Sequence, residues 1–338
     1  MGKVYLVGAG SGDPELMTLK GKRFLERADV VLYDRLVHPL LLHLTPPQAE
    51  FIYCGKLPKS HTLRQAEINR LLVRYAQEGK QVVRLKGGDP AIFGRVAEEI
   101  HELEQHGIDY EVVPGITAAS AASTYAGFSL TQRGESGRVT LATAHRQRDE
   151  LLEDFAPLVQ GGTLCFYMGV ENLRVIGAKL QEQGVPCDMP VAILEWATWG
   201  RQRVRTGTIA TIADQLEQDP FEHPAMIVVG EVIRQRKSSS WFEGLPSFGV
   251  RRLLVSRKPL TWEELTRHTS EGADVWNLQV GEERDRRFDE ISVRYMKEHS
   301  FPSVIFTEEG LEEAYRAWME EHQMDGVPSP SPREPRMV

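Results

Sequence analysis

Residues Val82-Val83-Arg84-Leu85-Lys86-Gly87-Gly88-Asp89-Pro90 constrain the fold more than any other stretch of this chain. Mostly apolar, β-favouring residues run straight into paired glycines, the pattern of a buried parallel strand whose carboxyl end admits a close approach to the backbone. Asp89 and Pro90 suit a helix start, because Asp caps free N–H groups and Pro fits a first turn. A helix from Pro90 or Ile92 to about Gln105 is therefore expected. In an open α/β sheet, ligands bind at such carboxyl ends. A tight strand-to-helix connection without a ligand accounts for the same residues, so the remaining chain has to decide.

The length of 338 residues allows two or three domains with real cores. Hydrophobic content of 41% and charged content of 26% are ordinary for a soluble globular protein. Met1 is not followed by a basic and then an apolar region, and no apolar run approaches about 18 residues, so a cytoplasmic protein without a membrane partner is expected. Cys54, Cys165 and Cys187 are scattered, with neither a disulfide framework nor a metal-ligand spacing. The net charge of −8 argues against a nucleic-acid partner.

Taken in order, Val4-Tyr5-Leu6-Val7 reads as a strand, Gly8 to Pro14 as a glycine-rich loop, and Glu15 to about Ala28 as a helix. A second strand over 29–34 ends in Asp34. This order resembles a dinucleotide-binding unit, but its third glycine would fall at Asp13, followed by Pro14, so a loop for another ligand fits better. A strand at 51–56, a helix at 62–77 and a strand at 110–113 extend the alternation that marks an α/β sheet. The small-residue helix 116–126 opens a second α/β domain, with strands at 139–142, 163–168, 191–196, 202–207 and 225–229 and helices near 172–183 and 209–216. The expected boundaries are 1–114, 115–235, a polar linker at 236–248, a segment of three β/α pairs at 249–325, and a disordered tail at 326–338.

The segments VGAGSGDPELMTLKG (7–21), ADVVLYDRLV (28–37), CGK (54–56), VVRLKGGDPAIFGR (82–95), VVPGITAASAAS (112–123), TLCFYMGV (163–170), RQRVRTGTI (201–209) and PAMIVVGEVI (224–233) together resemble the uroporphyrinogen-III C-methyltransferases of the tetrapyrrole methylase family. The resemblance runs in order to about residue 235. It implies a two-domain α/β fold with S-adenosylmethionine in the cleft between domains, bound largely through backbone groups. By position the contacts would be Ser11, Gly87, Gly88, Asp89, Ile92, Thr117, Ala118, Met168, Ala197 and Ala225. Asp89 reads equally as a helix N-cap.

The implied reaction moves a methyl group from sulfonium to a pyrrole carbon of uroporphyrinogen III, at C2 and at C7. The product is precorrin-2, by way of precorrin-1, for sirohaem or cobalamin synthesis. Alignment is the main demand on the protein. Asp34 matches the family's proposed proton acceptor and Lys56 its proposed donor, against plain readings as a turn-initiating Asp and a solvated Lys. The substrate's carboxylates call for cations, of which Arg35, Arg84, Arg95 and Arg133 are the leading candidates, with Lys59, Arg64, Lys86, Arg201 and Arg203 as further ones. Tyr167 is placed to stack on a pyrrole or to lie in the core. The resemblance also implies a homodimer.

Ser11, Val96-Ala97, Gln132, Ala144 and Ala197 depart from the family's usual residues, which touches substrate affinity more than reaction type. Other readings are a different methylase of the superfamily, a nicotinamide-dependent oxidoreductase, and a tetrapyrrole carrier without catalysis. Residues 241–257 and 304–307 resemble the opening part of uroporphyrinogen-III synthase. The remaining length is too short for that enzyme's two domains, so synthase activity is not expected from 249–325, and its removal is expected to leave methylation largely intact.

Overall fold

The computed structural model describes residues 2–55, 65–144 and 159–324. Lys56, Lys59, Arg64 and the tail expected to be disordered lie outside these. Two compact units emerge, one from Met1–Gly115 with Pro246–Val338 and the other from Ile116–Leu245.

In the first unit β1 (Lys3–Gly8), β2 (Val30–Tyr33), β3 (Glu50–Tyr53), β4 (Gln81–Lys86) and β5 (Tyr110–Val113) form a parallel sheet in the order β3-β2-β4-β1-β5. The opening stretch is thus β4, the central strand. Val82, Leu85 and Val83 are fully buried in it, as the near-continuous apolar run requires of a strand covered on both faces. Helices α1 (Leu19–Leu25), α2 (Gln65–Gln77) and α3 (Val96–Gln105) complete this part.

Two helices begin later than the sequence suggests. Asp13 closes a 3₁₀ turn at Pro14–Leu16, and α1 starts afresh where the Thr18 hydroxyl accepts from Gly21 N at 3.1 Å. Residues 90–95 form turns, and Arg95 at φ +56° is the residue before α3. The 3₁₀ segment Pro39–Leu44 had no expectation attached to it.

The second unit opens with α4 (Ala118–Tyr125) and carries β6 (Val139–Thr143), β7 (Thr163–Tyr167), β8 (Pro190–Glu195), β9 (Arg203–Thr208) and β10 (Ala225–Val229) in the order β6-β7-β10-β8-β9. Only β6 and β7 pair in parallel; β10 runs antiparallel to both neighbours, and β9 runs antiparallel to β8. Alternate residues serve two cores. Leu164, Phe166, Ile193 and Ile227 meet α5 (Leu173–Glu182) and α6 (Ile212–Gln218), while Cys165, Ala192, Leu194 and Val228 meet Ala119, Ala122 and Ala126 at α4. Truncating a side chain such as Phe166 would cost about 3–5 kcal/mol.

The remainder of the first unit is a second parallel sheet, β12-β11-β13, from β11 (Arg251–Ser256), β12 (Asp274–Gln279) and β13 (Ser303–Phe306). Its helices are α7 (Trp262–Ser270), begun by a Thr261/Glu264 capping box, α8 (Asp289–Glu298) and α9 (Glu312–Glu321). This module belongs to the same compact unit as the first sheet. Arg287 donates to the Pro46 and Ala49 carbonyls at 2.9 Å each, just before the edge strand β3. Phe288 stacks on His43 at 4.2 Å between ring centroids and meets Phe51 edge-on at 5.4 Å. Such aromatic pairs contribute about 0.5–1.5 kcal/mol each beyond area burial. Among the described residues no helix is long and apolar enough to cross a membrane.

Candidate functional site

Parallel pairing brings the carboxyl ends of β1, β4 and β5 together. Gly10 and Gly88 exchange backbone hydrogen bonds, Gly88 N to Gly10 O at 2.6 Å and Gly10 N to Gly88 O at 3.3 Å. A Cβ on Gly115 would fall on the Gly88 carbonyl oxygen and 2.8 Å from Gly8 Cα, so these strand ends meet at a distance only glycine allows. Gly88 itself has φ +70°. A Cβ on Gly87 would lie 3.1 Å from that of Leu36.

Asp89 is not the N-cap of α3. Its Oδ1 accepts from Ala91 N at 2.7 Å and its Oδ2 from Gly115 N at 3.0 Å, so one carboxylate closes the turn and ties β5 to β4. Ser11 and Ile92 are half-buried in the neighbouring loops.

Asp34 follows β2 and sits at the mouth of a buried charge cluster. Arg84 and Lys86 are two residues apart on β4 and therefore share a face. Arg84 donates to Asp34 Oδ1 at 2.5 Å and to Glu99 Oε1 at 3.0 Å; Lys86 donates to the same Glu99 oxygen at 2.8 Å. The Glu99 side chain is 0% exposed, and its Oε2 has no hydrogen-bond partner among the described residues. Two cations thus balance two anions, the condition for keeping charges inside a fold. Burial opposes the charge on Arg84, but Asp34, Cys54 and Glu99 outweigh it and raise its pKa. Lys86 is lowered, by burial and by Arg84 beside it. Burial pushes the Cys54 thiol up to about 11.

Expected to face substrate, Arg84 is instead 2% exposed and engaged with carboxylates. Arg35 and Arg133 are exposed. Arg95 is exposed but paired with Glu98, with donor distances of 2.8 and 2.7 Å. Sequence reasoning missed Glu99. The available signal was two cations inside a buried strand, which need a carboxylate from a packed element, and the next helix carries Glu98, Glu99 and Glu102.

In the second unit Met168 follows β7, Ala197 follows β8, and Ala225 starts β10. The registers Met226 with Tyr167 and Ala225 with Glu195 place all three at one end of the sheet. Thr117 makes no side-chain cap to α4; the Tyr167 hydroxyl accepts from Ala119 N at 3.2 Å and lies 2.6 Å from Thr117 Oγ1. Tyr167 therefore supports the helix on which Thr117 and half-buried Ala118 were singled out. Arg201 lies over Trp196 and Trp199, 3.9 and 4.7 Å from their ring centroids.

Backbone strain marks the same loops. Phe93, Arg95, Met168, Trp196 and Thr198 have φ between +44° and +70°, conformations that cost about 1–3 kcal/mol each and gather at functional sites. Two of these residues, Phe93 and Met168, are apolar and 41% and 45% exposed.

The profile of the Tetrapyrrole (Corrin/Porphyrin) Methylases matches residues 3–213. A uroporphyrinogen-III C-methyltransferase of Priestia megaterium is 49% identical over 237 residues, 69% of this chain and 99% of that protein. A protein of the same name from Bacillus subtilis (strain 168) is 48% identical over 263 residues, 75% of this chain. This chain covers 53% of that relative, about half its length. A crystal structure of a Thermus thermophilus uroporphyrin-III C-methyl transferase complexed with S-adenyl homocysteine is similar at 39% identity and a TM-score of 0.59, covering 69% of this chain and 94% of that one.

Proposed function

The chain belongs to the tetrapyrrole (corrin/porphyrin) methylases, and we propose that it methylates uroporphyrinogen III at C2 and C7, giving precorrin-2 by way of precorrin-1 for sirohaem or cobalamin synthesis. It is an S-adenosylmethionine-dependent methyltransferase. The near-complete coverage of the Priestia megaterium relative is the observation that carries the acceptor assignment.

The strand ends fit such a cofactor. Phe93 in the first unit and Met168 in the second are exposed apolar residues on strained loops, the kind of surface an adenosine moiety needs. The candidate contacts of the first unit are Ser11, Gly87, Gly88, Asp89 and Ile92; those the family resemblance implies in the second are Thr117, Ala118, Met168, Ala197 and Ala225. When bound, S-adenosylmethionine supplies an electrophilic methyl group.

The chain's own part is to hold and to accept. The glycine contacts and the Asp89 tie fix the strand ends, which is what near-attack alignment demands. Asp34 accepts the proton that the methylated acceptor sheds, and Arg84 keeps that carboxylate aimed. Lys56 serves as proton donor. Arg35 and Arg133 meet substrate carboxylates, while Arg84 acts on Asp34 and not on substrate.

Anaerobic incubation with uroporphyrinogen III and S-adenosylmethionine tests this reading: a dimethylated tetrapyrrole is expected. Calorimetry with S-adenosylhomocysteine and with NAD tests the cofactor. Tight tetrapyrrole binding without methyl transfer would favour a carrier, and preferential NAD binding would overturn the reading.

A further inference from the structure

The C-terminal module reaches the strand end that leads to Asp34, and it does so through one side chain. Arg294, on α8, donates to the Tyr33 hydroxyl at 2.8 Å, and its guanidinium lies 3.6 Å from the centre of the Tyr53 ring and 5.8 Å from that of Tyr33. The two tyrosines are ring neighbours at 5.4 Å. They end the adjacent parallel strands β2 and β3, where Tyr33 pairs with Tyr53 in register.

Tyr33 leads directly to a site position, and Tyr53 is its register partner. Tyr33 precedes Asp34, and its carbonyl accepts from Cys54 N at 2.9 Å. Tyr53 packs beneath Gly55: a Cβ on Gly55 would fall on the Tyr53 hydroxyl and 2.9 Å from the Arg35 Cβ. Gly55 precedes Lys56 in sequence. Arg84 holds Asp34 through its carboxylate, whereas Arg294 holds the chain just before it. Burial raises the Tyr33 phenol, against the opposing pull of Arg294, and pushes Tyr53 up to about 12, so both stay neutral at ordinary pH, Tyr33 as acceptor and Tyr53 as a ring face for Arg294.

Arg294 lies beyond the family domain. The profile match ends at residue 213, and the Priestia megaterium relative is 99% covered by 69% of this chain, leaving about a third without a counterpart there. We infer that Arg294 is a positioning residue for methyl transfer, by which the C-terminal module braces the β2 and β3 ends and so sets the placement of Asp34. This rests on the functional reading above. The module is then a working part of the methyltransferase and not a separable remnant.

The test uses the full chain with Arg294→Met, which keeps bulk, and Arg294→Lys, which keeps charge. Arg294→Met is expected to lower kcat about tenfold or more with the S-adenosylhomocysteine Kd unchanged, and Arg294→Lys to restore part of the loss. In a Tyr33→Phe background the Arg294→Met effect is expected to shrink, because the shared hydrogen bond is already gone. Wild-type kcat in Arg294→Met, or a parallel loss of kcat, cofactor affinity and thermal stability, would overturn the positioning role. Hydrogen exchange reads the brace without any acceptor: the Asp34 and Cys54 amides are expected to exchange faster in Arg294→Met while those of β1 do not, and unchanged exchange would overturn it. A wild-type chain that transfers no methyl group, together with that exchange change in Arg294→Met, would sink the functional reading and leave the brace standing.

Discussion

Arg84 lies 2.5 Å from Asp34 Oδ1 and 3.0 Å from Glu99 Oε1, so one buried guanidinium joins the proposed proton acceptor to a carboxylate shut off from solvent. Arg84→Met removes that link and leaves Glu99 with Lys86 and the more distant Gln65 amide at 3.2 Å. Breaking a buried pair in this way costs about 3–5 kcal/mol. Urea denaturation is expected to show a loss of that size. Arg84→Lys is expected not to recover it, since an ammonium lacks the fork that spans both carboxylates. A wild-type midpoint in Arg84→Met would contradict the role assigned to the cluster.

Asp34→Asn keeps the shape and a hydrogen-bonding oxygen while losing the proton-accepting charge. Its turnover is expected to fall about 10²–10⁴-fold, the usual range for a general base, with S-adenosylhomocysteine affinity unchanged. Unaltered turnover would remove Asp34 from the proton step.

His43 links stability to pH. Burial lowers its imidazole to about 4; Asp285 opposes the shift and Arg287 adds to it. Both ring nitrogens are buried without a hydrogen-bond partner among the described residues, and the ring stacks on Phe288. The unfolded chain binds a proton near 6.5 and the folded chain only near 4, so this contribution is complete above 6.5 and is lost as pH falls towards 4. Its size is at most about 3 kcal/mol. Thermal unfolding between pH 7 and 4 is expected to show a shallower decline in His43→Phe than in the wild type. Equal slopes would exclude His43 as the source.

Much of the first sheet was legible because each strand is a local apolar run stopped by Gly, Pro or Asp, and the Gly87-Gly88 turn does end the central strand. The start of α3 was not legible. Pro90 suits a first turn, but Asp89 spends its carboxylate on Ala91 and Gly115, and that choice depends on β5, far off in sequence. Strand direction in the second sheet escaped for the same reason, since period-2 patterning fixes which face is buried and not the sense of the neighbour. Within the site, Met168, Ala197 and Ala225 come to one sheet end. Glu99, the Tyr167 cap on α4 and the reach of Arg294 are contacts between elements, and no local pattern encodes them.

Gly115→Ala tests the close meeting of strand ends. Its methyl would fall on the Gly88 carbonyl, backbone that cannot swing aside, so β1, β4 and β5 have to part. A loss of about 1–3 kcal/mol is expected, together with weaker S-adenosylhomocysteine binding. Full affinity in the variant would show that the glycine contact does not shape the cofactor's side of the sheet.

The proposed reaction is a double methylation of one acceptor. Mass spectrometry of the tetrapyrrole after anaerobic turnover, set against S-adenosylhomocysteine formed in the same tube, counts it directly. Two methyl groups per uroporphyrinogen III, with two S-adenosylhomocysteine released and a monomethylated species that rises and then falls, is the predicted result. An acceptor recovered unmethylated, from a chain that binds S-adenosylhomocysteine, would contradict the account.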